Sequence, residues 1–177
     1  MNNREETLKR FIQHVVSQAK RNLTTYGKNA SKKLYNSIKG ESKAFPNSIG
    51  IYFDMEEYGF YQDKGVSGTK KKYDTPFSYK SKGGKNGLKG MPPPSAFDKW
   101  SIRRGIAPRK SGGQFKTRKG LNFAIARSIF EKGIKPSLFF TKPFEAAFKN
   151  LPDEMIESYG LDVETLFNDI MNQTFKK

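Results

Sequence analysis

The middle third of this chain is rich in cations and poor in anything that could build a core. Between Lys64 and Gly120 stand 16 of the 33 lysines and arginines but only 2 of the 17 acids, Asp74 and Asp98. That stretch therefore carries 14 of the 16 net positive charges of the 177-residue protein. Gly, Ser, Lys and Pro dominate it up to Pro92-Pro93-Pro94. With so few apolar anchors, such a segment does not offset the entropy of ordering itself. It reads as a long basic insertion over 64–120, mobile until something binds it, within a single α+β domain of residues 1–177.

Length favours one core. The 15 Phe, 8 Tyr and 1 Trp make that core aromatic rather than aliphatic, since each ring buries a large area. Leu8, Phe11, Ile12, Val15, Val16, Ala19 and Leu23 recur at three- and four-residue steps and predict an amphipathic helix, ended by Gly27 as a left-handed cap. Leu34, Tyr35 and Ile38 share one side of a short helix over 30–39. Ile49, Ile51, Phe53 and Met55 alternate with Gly50, Tyr52 and Asp54, the pattern of a half-buried strand. Tyr58 to Gly65 suits a short helix or turn. Ser95 caps a further helix carrying Phe97, Trp100 and Ile102, ending at Gly105. From Leu121 a helix presents Ala124, Ile125, Ser128 and Ile129 on one face and stops at Gly133. Pro136 to Phe140 reads as extended, Phe144, Ala147 and Phe148 as a helical face, and 161–177 as a C-terminal helix with Val163, Leu166, Phe167, Ile170 and Met171 in a stripe. The expected fold is α+β: a small antiparallel sheet packed against the N-terminal amphipathic helix and C-terminal helices, with long basic loops.

Several chemistries are poorly served. There is no cysteine, which removes disulfides and thiolate metal sites and fits a reducing compartment. His14 is the single histidine, so a histidine triad or multi-histidine metal site is out of reach within one chain, and His14 reads as structural. Asp54, Glu56, Glu57 and Asp63 form one compact acidic group of the residue types that hold Mg²⁺ in a nuclease; a strand end and solvated turn explain the same residues better. Ser81 to Gly87 is glycine-rich but lacks the Gly-x4-Gly-Lys-Ser/Thr spacing of a phosphate loop. No run approaches the length of a membrane span, and the polar start is unlike a secretory signal. The expectation is a non-enzymatic protein with no cofactor, no metal and no membrane contact.

The cations are the functional candidates. Lys70, Lys71, Lys72, Lys80, Lys82, Lys85 and Lys89, followed by Arg103, Arg104, Arg109, Lys110, Lys116, Arg118 and Lys119, would neutralise phosphates without reading sequence. They would serve equally against an acidic surface of a partner protein. Tyr73, Phe77, Tyr79 and Phe115 lie among them and suit base stacking if held on an ordered platform. Phe139, Phe140, Pro143 and Phe144 make a dense apolar patch. It fits the core, or an interface through which copies of the chain self-associate.

The order of these elements resembles the neck and tail-completion proteins of tailed bacteriophages. Leu34-Tyr35-Asn36-Ser37-Ile38 is similar to the Leu-x-x-Ser-Ile stretch that follows their first helix. Tyr58, Tyr61 and Gly65 resemble their Tyr-x-x-Tyr/Phe-x-x-x-Gly turn. Ala126-Arg127-Ser128-Ile129, Gly133-Ile134-Lys135-Pro136 and Pro143-Phe144 are similar to their basic helix, Gly-x-x-Pro link and Pro-Phe helix start. The region 64–120 is larger and more basic than the compact form of that family. The resemblance implies a virion protein, made in the host cytoplasm and lacking catalytic residues. Its copies would form a ring joining head and tail around the DNA channel, against portal or other neck and tail proteins, with non-specific contact to the DNA backbone. A basic nucleic-acid-binding protein without sequence specificity is the alternative reading, and a metal-dependent nuclease a third.

Overall fold

The computed structural model of the protein describes residues 3–45, 48–84, 87–107 and 117–151. Among these residues it is a mixed α+β structure of six α-helices and four short strands. It divides into two compact units, one made of Met1–Asp63 with Leu138–Lys177 and the other of Lys64–Ser137. The expected helix over 161–177 lies outside the described residues.

In the first unit, α1 (Asn3–Thr25) buries the stripe that its spacing predicts. Leu8, Phe11, Ile12, Val15, Ala19 and Leu23 are all buried, and Val16 packs partly against them. The helix ends in a Schellman arrangement, with Lys28 N–H donating to the Leu23 carbonyl at 2.9 Å and Gly27 N–H to that of Thr24 at 3.0 Å; Gly27 takes the left-handed φ of 61° that this needs. A short α2 (Lys33–Ser37) follows. Then β1 (Lys39–Phe45) pairs antiparallel with β2 (Ser48–Asp54), in register from Lys39 opposite Asp54 to Phe45 opposite Ser48. Ile51 and Phe53 of β2 point into the core, as the alternation predicts.

Strand β1 has no apolar alternation, and its place in the sheet shows instead in Gly40. A Cβ there would lie 2.5 Å from Ile12 Cγ2 and 3.0 Å from the Phe53 ring. Helix and sheet therefore meet where there is no side chain to hold them apart. Above this contact Phe11, Phe53, Phe140, Phe144 and Phe148 form a connected ring cluster. Edge-on pairs include Phe53–Phe140 at 5.2 Å and Phe11–Phe144 at 5.8 Å between centroids. Such pairs add about 0.5–1.5 kcal/mol each beyond area burial.

The C-terminal part of this cluster sits on α6 (Thr141–Phe148), and Asp63, near the end of α3 (Tyr58–Lys64), holds that helix in place. Its carboxylate is 3% exposed. It accepts the N–H of Phe140 at 2.8 Å, the N–H of Thr141 at 3.3 Å and a short bond from the Thr141 hydroxyl. The Asp63 carbonyl accepts Leu138 N–H at 3.0 Å. A carboxylate at a helix start also meets the positive end of the helix dipole. Residues 136–140 are thus not the strand that their apolar run suggests: Leu138 has a φ of 51°, and the chain turns there so that residues 139 and 140 point inward.

In the second unit β3 (Val66–Ser67) pairs antiparallel with β4 (Gly133–Ile134). Between them run a 3-10 turn (Pro94–Phe97), α4 (Asp98–Arg103) and α5 (Arg118–Lys132). Helix α5 buries Asn122, Ala126 and Phe130 rather than the expected face of Ala124, Ile125, Ser128 and Ile129. Its apolar residues lie all round the helix, so sequence spacing alone does not choose a side. The stretch from Lys64 to Pro94 is not an untethered loop. Ser67 N–H and carbonyl bond to Phe77 and Tyr79, each at 2.8 Å, and the N–H groups of Thr69, Lys70 and Lys71 donate to the carbonyls of Phe130 and Glu131 at 2.9–3.1 Å. A Cβ on Gly68 would lie 2.2 Å from the Glu131 carbonyl oxygen, so only glycine permits this backbone approach.

Asp63→Ala leaves three buried donors without their acceptor and is expected to cost about 3 kcal/mol, read as a fall in the urea midpoint at unchanged slope. Gly40→Ala overpacks the meeting of α1 and the sheet, where the β-branched Ile12 has little rotamer freedom. The expected loss is about 1–3 kcal/mol; a variant as stable as the parent would mean that α1 does not rest on β1.

Candidate functional site

The second unit holds 19 of the 33 lysines and arginines and 3 of the 17 acids, which leaves 14 of each for the first. One unit is thus formally neutral, and the other carries the whole net charge of +16. Apart from the exposed Lys80, the candidate cations among the described residues fall into three groups.

The first is the strap 68–72, held by backbone hydrogen bonds to the end of α5. Lys70 Nζ lies 3.0 Å from the Glu131 carboxylate, which Arg127 also reaches at 3.0 Å. Lys71 Nζ sits over the Tyr73 ring at 5.3 Å, and Lys72 Nζ donates to the Gly68 carbonyl at 3.0 Å. The hydrogen bond from Lys70, with a second from Arg127, holds the Glu131 carboxyl below the usual glutamate range. The second group is a small turn in which Lys82 N–H donates to the Lys89 carbonyl at 2.8 Å and Lys89 N–H to that of Gly83 at 3.0 Å, leaving both side chains exposed. The third joins α4 to the start of α5. Arg103, Arg118 and Lys119 are exposed there, and the Arg104 guanidinium lies over the exposed Trp100 at 5.9 Å.

A buried polar network fixes that third group. Asn122 donates to Asp98 Oδ1 at 3.1 Å, and the single Ser101 hydroxyl proton is shared between the Asp98 carbonyl at 2.9 Å and Asn122 Oδ1 at 3.3 Å. Ser101 and Asn122 are 0% and 5% exposed, so this network, rather than apolar contact alone, holds α4 to α5. Its one mark in the sequence is Asp98, one of two acids between Lys64 and Gly120; an asparagine three places after Lys119 is unremarkable until its burial is seen. Glu131 escaped sequence reasoning as well. Its clue is that it is one of only three acids in a strongly basic unit.

Other expected sites fall differently. Lys85, Arg109, Lys110, Phe115 and Lys116 lie outside the described residues. Tyr73, Phe77 and Tyr79 are half-buried, with Tyr79 edge-on to Phe130 at 6.0 Å and its hydroxyl pushed up by burial. Tyr79 therefore takes part in the packing of the unit. Phe139, Phe140, Pro143 and Phe144 are buried in the core of the first unit. That corrects the idea that they present a self-association patch, because their surfaces are already covered within the chain. The acidic group of Asp54, Glu56, Glu57 and Asp63 does not gather either: Asp63 holds α6, and Glu56 pairs with Lys33 at 2.9 Å. Among the described residues no three His, Cys, Asp or Glu side chains form a metal-binding group. His14 is exposed on α1. Among the described residues no helix is long and apolar enough to cross a membrane. Comparison with protein-family models, curated proteins and solved structures finds no match to this chain.

Glu131 supplies a pH test of the strap. Its carboxyl is lowered from the ordinary value of 4.5, so its stabilising contribution is full above that value and is lost as pH falls through the depressed folded value. Glu131→Gln is expected to lower the melting temperature at pH values above the ordinary 4.5 and to converge with the parent at acid pH, so that the acid side of the profile is flattened. A parent and variant with parallel profiles would remove Glu131 as the anchor.

Proposed function

We propose that this protein is a structural virion component of a tailed phage, a non-enzymatic neck or tail-completion protein whose copies form a ring around the DNA channel. The observation that carries the reading is the division of charge: one unit is neutral with an aromatic core, and the other holds 19 cations and 3 acids. A protein that must build an assembly and also meet a polyanion has use for both. Within that reading, the neutral unit is the scaffold and the cationic unit meets the DNA backbone or an acidic neighbour, and neither role needs a reactive side chain. Heterologous contacts that close by rotation generate such rings.

The residues behind the family resemblance take structural parts consistent with a shared scaffold. Leu34 and Ile38 are buried, Gly65 has a left-handed φ of 75°, and Pro143 stands in the first turn of α6, where its missing N–H breaks no intrahelical bond. The same excess of cations also favours a second reading, a basic protein that binds nucleic acid without sequence preference and without assembling.

Electron microscopy of the purified protein, alone and with duplex DNA, separates the two. Closed rings of uniform size are expected. A protein that stays monomeric throughout while binding DNA would replace the ring reading by the second. In DNA titrations, the triple variant K82Q/R103Q/K89Q is expected to lower the slope of log affinity against log salt by about 3 units, roughly one per cation removed. An unchanged slope would take these three exposed side chains off the phosphate-contacting surface.

A further inference from the structure

The cationic unit has a groove of about 890 Å³ between the 3-10 turn with α4 and the first turns of α5. Pro94, Ala96 and Phe123 give it apolar walls, and Lys99, Arg118 and Lys119 line it with positive charge. The Phe123 ring is 41% exposed. The one acid in the lining, Asp98, accepts from the Asn122 amide, and the three cations set against it leave the groove with a net positive charge. Its shape does not depend on an occupant, because the buried Asp98–Ser101–Asn122 network already fixes the two helices that form it. Apolar walls with a basic rim suit an acidic segment that carries apolar residues on one side.

The chain contains such a segment. From Pro152 to Lys177 it has six acids, Asp153, Glu154, Glu157, Asp162, Glu164 and Asp169, against two lysines at its very end. Val163, Leu166, Phe167, Ile170 and Met171 recur within it at helical spacing. It is the most acidic stretch of a protein whose other unit carries the whole net positive charge. We propose that the acidic C-terminal segment 152–177 of one copy docks in the Phe123 groove of a second copy. Its apolar residues would contact Phe123, Pro94 and Ala96, and its carboxylates would face Arg118, Lys119 and Lys99. The contact is heterologous, segment to groove, the kind that propagates around a ring. It rests on the self-assembling reading in requiring two copies, and it names the surfaces that meet.

A fluorescently labelled peptide of sequence 152–177 tests this, titrated into full-length protein carrying L166D and F167D so that its own segments do not compete. Saturable binding is expected, weakened at least tenfold by adding F123D or the pair R118E/K119E. A peptide with D162K and E164K is expected to recover binding to the R118E/K119E protein, which a misfolded variant would not allow. Absence of peptide binding, or equal affinity across all pairs, overturns the docking even if rings are seen. A groove that ignores the peptide but binds an oligonucleotide through Phe123 also overturns it, in favour of nucleic acid as the occupant. In the full-length parent, L166D/F167D is expected to lower the mass measured by sedimentation. If the peptide binds while the parent assembles into open chains instead of closed rings, the ring fails and the segment-to-groove contact stands; a parent that is monomeric at every concentration overturns the contact between copies.

Discussion

The buried carboxylate of Asp63 is the interaction on which the first unit depends. Burying a charge is costly unless every lone pair finds a donor, and here two amides and a hydroxyl from residues 140 and 141 meet it. Those bonds set where α6 begins, and the start of α6 decides which way Phe140, Phe144 and Phe148 face. The aromatic cluster then has no slack. Phe144 touches Phe11 of the first helix, Phe53 of the hairpin and Phe140 of its own turn, so a shift of α6 would part rings on three elements at once. One polar contact between residues 77 and 78 positions apart thereby aligns an apolar core.

How much of this was legible beforehand depends on the kind of signal. Helix α1 and strand β2 announce themselves, because period and burial agree along Leu8 to Leu23 and Ile49 to Met55. Strand β1 does not: Lys, Gly, Glu and Ser give no alternation, and it belongs to the sheet through backbone pairing and the missing side chain of Gly40. Helix α5 is visible as a helix but not as a face. Which of its residues are inside is settled by Ser101 and Tyr79, far away in sequence. Asp63 looked like one member of a surface acidic group, since nothing local reveals that its partners arrive at residue 140. The four residues Phe139, Phe140, Pro143 and Phe144 were conspicuous for the right chemistry, but burial within the chain excludes the exposed patch their density suggested.

For the cations the legibility runs the other way. Their clustering was plain from composition, and the structure refines it in a physically useful manner. Lys70, Lys71 and Lys72 are partly engaged at home, by Glu131, the Tyr73 ring and the Gly68 carbonyl, so they help hold the strap as well as charging it. Lys82, Lys89, Arg103, Arg118 and Lys119 stand exposed. All eight of these side chains are exposed, so equal formal charge divides by what each one touches and not by its access to solvent, a distinction invisible to any count of lysines.

The hydrogen bond between the Asp63 carbonyl and Leu138 N–H has a consequence for how such a chain can change over time. The 74 residues from Lys64 to Ser137 leave and rejoin their host at two points 3.0 Å apart. A guest whose two ends meet can be lengthened, exchanged or excised with little disturbance to the path of the host backbone. The host keeps its own core, formed wholly from residues on either side of the junction. Charge, reach and partner preference can accordingly drift in the guest while selection on packing in the host stays unaltered.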